Sequence, residues 1–118
     1  MPFEVERSEL DSGVTVLALS GTMTMGNQLQ QLEWAVQELT KNPGSRVVFD
    51  MTRITYLDSS ALGVLMGCHG ALQKAGGQLR LAGINSRIGS ILEMTGVDTV
   101  LRLDPTRDQS VSALTLKA

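Results

Sequence analysis

Hydrophobic and polar positions alternate in short runs at the start of the chain. Phe3 to Leu10 and Val14 to Leu19 are strand-like, and Asp11-Ser12-Gly13 between them has turn chemistry, so the pattern predicts a β-hairpin. The period then lengthens. Leu29, Leu32, Val36 and Leu39 recur at helical spacing, which predicts an amphipathic helix from Asn27, its expected cap, to about Lys41, with Asn42-Pro43-Gly44 as the stop. The compact, β-branched run Arg46 to Met51 reads as a buried strand. A helix from about Ser59 to Ala75 follows, closed by Gly76-Gly77, and Gln78 to Ala82 reads as the next strand. The alternation repeats with a short helix Ser86 to Met94, with Ile88, Ile91 and Leu92 facing inward and Gly96 after it, and a strand Val100 to Leu103. Asp104-Pro105 then offers a cap and a first-turn proline for a terminal helix reaching about Leu116. Strands alternating with helices after an initial hairpin imply an α/β fold: a mixed, mainly parallel sheet with about four helices packed on it, in one domain covering residues 1–118.

The stretch "YLDSSALGVLMG", Tyr56 to Gly67, places Asp58-Ser59-Ser60 at the start of the second helix. Steps of about 100° per residue gather Ala61, Val64, Leu65, Cys68, Ala71, Leu72 and Ala75 on the side expected to meet the sheet. Ser59 falls opposite, together with Leu62, Gly63, Met66, Gly67, His69, Gly70, Gln73 and Lys74. Three glycines and two bulky apolar residues occupy positions where solvent favours charge. A glycine inside a helix costs about 1 kcal/mol relative to alanine, so the composition points to a docking surface with Leu62 and Met66 as apolar anchors. Two readings of the Asp58-Ser59 pair stand at this point: a structural N-cap, with the glycines packed against another element of the same fold, or an exposed serine on a docking face, where a phosphate would add about −1.5 to −2 charge.

Composition narrows the function classes. The chain has 118 residues, a hydrophobic fraction of 42% and a net charge of −2. No apolar run approaches the roughly 20 residues needed to cross a bilayer, and "MPFEVERSEL" does not resemble a signal peptide, so a cytoplasmic location is expected. With one cysteine, Cys68, and one histidine, His69, neither an internal disulfide nor a zinc ligand set can be assembled, and no cofactor is expected. The basic residues are dispersed and the aromatics number four, which argues against nucleic-acid binding.

Read together, "LSG" at Leu19 to Gly21, "VVFDMTRITYLDSSALGVLMG" and "GGQLRLAGINSRIGSILEMTGV" resemble the STAS domain, specifically the bacterial anti-sigma factor antagonists, over nearly the whole chain. The resemblance implies that Ser59, the first serine after the aspartate, is a regulatory phosphorylation site. It implies an anti-sigma factor that is also a serine kinase as partner, bound by the unphosphorylated protein so that a sigma factor is released, and a PP2C-type phosphatase that reverses the modification. On that footing Asp58 and Ser60 shape the helix start, Leu62, Gly63, Met66 and Gly67 form contact surface, and Thr24, Met25 and Asn27 flank it. Two departures stand out. Many relatives have Gly-Glu-Leu-Asp where this chain has Gly21-Thr22-Met23-Thr24, and the usual glycine after the serine pair is Ala61.

Rival readings are weaker. Asp58, Ser59 and His69 have the composition of a nucleophilic triad, but ten helical residues put Ser59 and His69 about 15 Å apart along the axis. Gly76-Gly77 lacks the lysine of a phosphate loop, and no motif supports a small-ligand site at the loops after the strands. The protein is therefore expected to accept phosphate and not to be an enzyme. A subunit docked permanently on an ABC-type transport ATPase keeps the fold and needs no phosphorylation. Trp34 falls opposite the apolar stripe of its own helix, which suits weak self-association or a side chain lying across its own surface.

Overall fold

The computed structural model describes residues 1–115. The strands are β1 (Glu4–Glu9), β2 (Val14–Met23), β3 (Arg46–Leu57), β4 (Gln78–Ala82) and β5 (Arg102–Asp104), and the helices are α1 (Gln30–Thr40), α2 (Ser59–Lys74), α3 (Ser86–Met94) and α4 (Arg107–Thr115). One five-stranded sheet runs in the order β1-β2-β3-β4-β5, antiparallel between β1 and β2 and parallel in every other pair. The predicted hairpin and mixed α/β sheet are both present.

The helices divide between the two sheet faces because the strand residues alternate. Leu17, Leu19, Phe49, Leu79 and Leu81 form one apolar face, covered by Leu32, Val36 and Leu39 of α1, Leu65 and Leu72 of α2, and Ile88 and Leu92 of α3. Val14, Val16, Val48 and Ala82 point the other way and meet Leu114 of α4. Polar ties hold this smaller face. Arg80 makes a two-point ion pair with Asp104, at 2.7 and 3.1 Å, and Ser110 of α4 donates to the same carboxylate at 2.6 Å. The guanidinium lowers the Asp104 pKa and is itself raised in return. Arg46 donates to the carbonyls of Leu114 and Ser12, joining α4 to the hairpin turn.

Several boundaries differ from expectation, each for a local reason. β2 continues four residues past Leu19, through a glycine that looked like a turn. Gly21 is at φ +93°, and a Cβ there would land on the carbonyl oxygen of Pro2, so it marks a close crossing of backbone and not a strand end. β3 runs six residues past Met51. Ala18 pairs with Asp50 and Ser20 with Arg53, then Gly21 with Ile54 and Thr22 with Tyr56, so β3 twice carries one extra residue. These β-bulges break the alternation that would have revealed the strand. The last strand begins after a 3-10 turn, Val97–Thr99, and covers Arg102–Asp104 in place of Val100 to Leu103. The cap of α4 is Thr106, whose Oγ1 accepts from the Gln109 amide, while Asp104 is committed to Arg80 and Pro105 precedes the helix. Leu116, the expected end of α4, lies outside the described residues.

Alanine at Gly21 would combine a left-handed backbone with a steric clash against Pro2. The expected loss is about 2 to 3 kcal/mol of unfolding free energy, read from the urea midpoint at unchanged m-value.

Candidate functional site

The C-terminal ends of β2 and β3 bring the Thr24–Gln28 loop beside the start of α2. The Asp58 amide donates to the Met23 carbonyl at 3.1 Å, continuing the strand pairing to the helix boundary. Asp58 is then the N-cap of α2, in extended conformation, and its Oδ1 accepts from the Ala61 amide at 3.2 Å. Its other oxygen, Oδ2, accepts from the Met25 amide at 2.9 Å across 33 residues of sequence. One carboxylate therefore serves both a helix end and a loop. The amide of Met25, with the amides of the helix turn, lowers the Asp58 pKa against the opposing effect of desolvation.

The loop is shaped by further constraints. Asn27 does not cap α1, as the sequence suggested: the position before that helix is Leu29, with no side-chain cap. The Asn27 side-chain nitrogen turns back instead to the Thr22 carbonyl at 2.7 Å, Thr22 Oγ1 at 2.9 Å and the Met1 carbonyl at 3.0 Å. The Asn27 amide donates to the Thr24 carbonyl at 3.0 Å. Gln28 has φ +63°, a left-handed conformation uncommon in a residue with a side chain and frequent at functional loops. The resulting loop leaves the Met25 side chain 79% exposed.

Ser59 is exposed in the first turn of α2, and among the described residues its hydroxyl has no hydrogen-bond partner. Ser60, its neighbour, is half-buried. Gly63, Gly67 and Gly70 are exposed, and among the described residues a Cβ added to any of them meets no other element within 4 Å. Packing against another element of the same fold therefore does not explain these glycines. The buried face of the helix is narrower than its periodicity predicts. Ala61, Leu65, Cys68 and Leu72 are buried as expected, but Val64 and Ala75 are half-buried and Ala71 is exposed. Leu62 and Met66, expected as exposed anchors, are half-buried and pack on the main core. They share a flank of α2 with His69 and Gln73, which face the Thr99–Arg102 segment across an open groove of about 600 Å³. That position on the helix makes them core-edge residues.

His69 lies ten residues from Ser59 on one continuous helix, so no triad is assembled. Cys68 is buried and its thiol is pushed up to about 12, chiefly by desolvation, which removes it from thiolate chemistry. Trp34 is 61% exposed, as its position opposite the α1 stripe implied. Among the described residues no His, Cys, Asp and Glu gather as metal ligands, and no helix is long and apolar enough to cross a membrane.

The sequence model of the STAS domain matches residues 7–110. The chain belongs to the STAS-domain family. Over 106 residues this STAS domain is 27% identical to an anti-sigma F factor antagonist of Paenibacillus polymyxa, spanning 87% of this chain and 86% of that protein. The same fold occurs in an anti-sigma factor antagonist from Mycobacterium paratuberculosis, with a TM-score of 0.82, 24% identity and coverage of 95% and 93% of the two chains. It occurs too in the Bacillus cell fate determinant SpoIIAA in its phosphorylated form, with a TM-score of 0.71, 13% identity and coverage of 94% and 99%.

Because the Asp58 pKa is lowered in the folded state, its contribution is fully present above the unfolded value of about 3.9 and is lost as pH falls below it through the folded value. Asp58→Ala is expected to cost about 1 kcal/mol at neutral pH, as for other N-cap deletions. Asp58→Asn keeps one acceptor for Ala61 but cannot accept from both amides as an anion, so it should flatten the acid limb of the stability curve. Native-state hydrogen exchange should then show the Met25 amide losing protection while the α2 amides retain theirs.

Proposed function

We propose that this STAS domain is an anti-sigma factor antagonist whose switch is phosphorylation of Ser59. In this reading the unphosphorylated protein binds an anti-sigma factor that is also a serine kinase, and a sigma factor is released. The kinase ends the binding by modifying Ser59, and a PP2C-type phosphatase restores it. The observation that carries the reading is the division of labour between two neighbours. Asp58 supplies the cap while the Ser59 hydroxyl stays exposed and unengaged among the described residues. Modification of Ser59 therefore breaks no hydrogen bond of the fold. The likeness over most of the chain to a relative named an anti-sigma F factor antagonist supports the same assignment.

Physical chemistry favours a switch that leaves the domain folded. A phosphate on the first residue of α2 lies at the positive end of the helix dipole, which tolerates negative charge. Its charge of about −1.5 to −2 instead changes the surface offered to a partner. The exposed stripe of Gly63, Gly67 and Gly70 belongs to that surface, because it allows another backbone to approach the helix closely where no other element among the described residues does. Ser60 and Asp58 shape the helix start, and Thr24 and Asn27 build the adjoining loop. Leu62 and Met66 contribute through their half-exposed edges, and their truncation should also lower thermal stability.

Modification, binding and stability measurements test the reading. Incubation with the anti-sigma kinase and ATP should add one phosphate, located on Ser59 by mass mapping, and Ser59→Ala should remain unmodified and bind persistently. Ser59→Asp should weaken binding by about tenfold or more, although aspartate carries less charge than phosphate; unchanged affinity in both Ser59→Asp and the phosphorylated protein would refute the electrostatic switch. Gly63→Ala and Gly67→Ala should each raise stability by up to about 1 kcal/mol while weakening capture of the kinase, opposite signs that a structural role for these glycines does not produce.

A further inference from the structure

We infer that Met25 is the specificity-determining anchor of the partner surface, fitting an apolar pocket on the anti-sigma kinase; this rests on the antagonist reading above. Met25 combines two properties that a surface residue seldom shows together. The residue is 79% exposed, yet its backbone is fixed by the 2.9 Å bond to Asp58 and by the Asn27 bonds that close the loop. Docking therefore does not have to order the loop that carries the side chain, and a flexible thioether adapts its shape to the pocket that receives it.

The chemistry of the pocket follows from what surrounds the anchor. Thr22, Thr24, Gly26, Asn27 and Gln28 are all uncharged. Thr22 Oγ1 donates to the Met1 carbonyl and lies within reach of Asn27, so its side chain is turned inward to the loop. The nearby carboxylate, Asp58, has both oxygens engaged by backbone amides. A loop of this kind complements an apolar recess and offers nothing to a cluster of lysines and arginines. The partner is therefore selected by shape and apolar burial, with the uncharged Thr22 and Thr24, where many relatives carry carboxylates, as the complementary half of that selection.

The test is titration calorimetry of the unphosphorylated protein against its purified anti-sigma kinase. Met25→Leu should bind within about threefold of the original, and Met25→Ala should lose about tenfold or more, the range of a central anchor. Met25→Glu should lose more than Met25→Ala. Raising NaCl from about 50 to 500 mM should change the affinity of the unmodified protein by less than about threefold, because few charge pairs form. All variants should keep the melting temperature, since Met25 is largely exposed and belongs to neither core cluster among the described residues. If Met25→Ala binds as well as the original, or if binding collapses with salt, the anchor is overturned while the antagonist reading stands. If the original protein itself fails to bind any such kinase, the antagonist reading fails with it.

Discussion

The carboxylate of Asp58 holds together two segments that the chain keeps 33 residues apart, through one oxygen on the Met25 amide and the other on the Ala61 amide. Each bond alone is a modest surface interaction, the whole cap being worth about 1 kcal/mol. Their position matters more than their strength. The bond to Ala61 sets where α2 begins, and hence which residue becomes its first exposed hydroxyl. The bond to Met25 sets the loop that stands beside that hydroxyl. A single side chain thus fixes the relative placement of the exposed Ser59 hydroxyl and the exposed Met25, and it does so from the sheet, since the Asp58 amide is already bonded to Met23 at the end of β2.

The sheet provides this arrangement through irregularity. A regular β3 of the same length would alternate its side chains strictly, with no means of turning its end. The two extra residues between Asp50 and Tyr56 increase the local twist and bend, and Met51, Ile54 and Leu57 remain buried at intervals of three in place of two. Gly21 makes the matching accommodation on β2, giving the Pro2–Phe3 backbone room to cross. The regular portions of both strands anchor the core, and the irregular portions aim the site.

This contrast also determines what could be read from the residues alone. The hairpin, α1, α2, β4 and α3 follow from hydrophobic period and punctuation, and the Asp-Ser-Ser helix start with its glycine-rich outward stripe was visible as an anomaly of composition. The far halves of β2 and β3 were hidden because a glycine at a crossing looks like a turn and a bulged strand has no period of two. Leu62 and Met66 were misplaced because a helical wheel gives direction from one helix axis only, and the flank they occupy is closed by the neighbouring core. Asn27 had the chemistry of a cap but found the Thr22 carbonyl first. The Asp58–Met25 bond left no local signature, since neither residue type nor spacing announces a partner 33 positions away.

The same geometry would let the proposed charge switch and a stable fold share one helix turn. The first-turn amides of α2 are a natural seat for negative charge, and Asp58 occupies only part of that capacity. A second negative group on Ser59 would be held near those amides without displacing any contact of the core, because the helix is fastened from its other side by Ala61, Leu65, Cys68 and Leu72. The free-energy change of the proposed modification would then appear at the exposed surface, in the partner's affinity, and not in the stability of the domain. A switch buried deeper would couple phosphorylation to unfolding, and one farther from Asp58 would lie away from the loop that presents Met25.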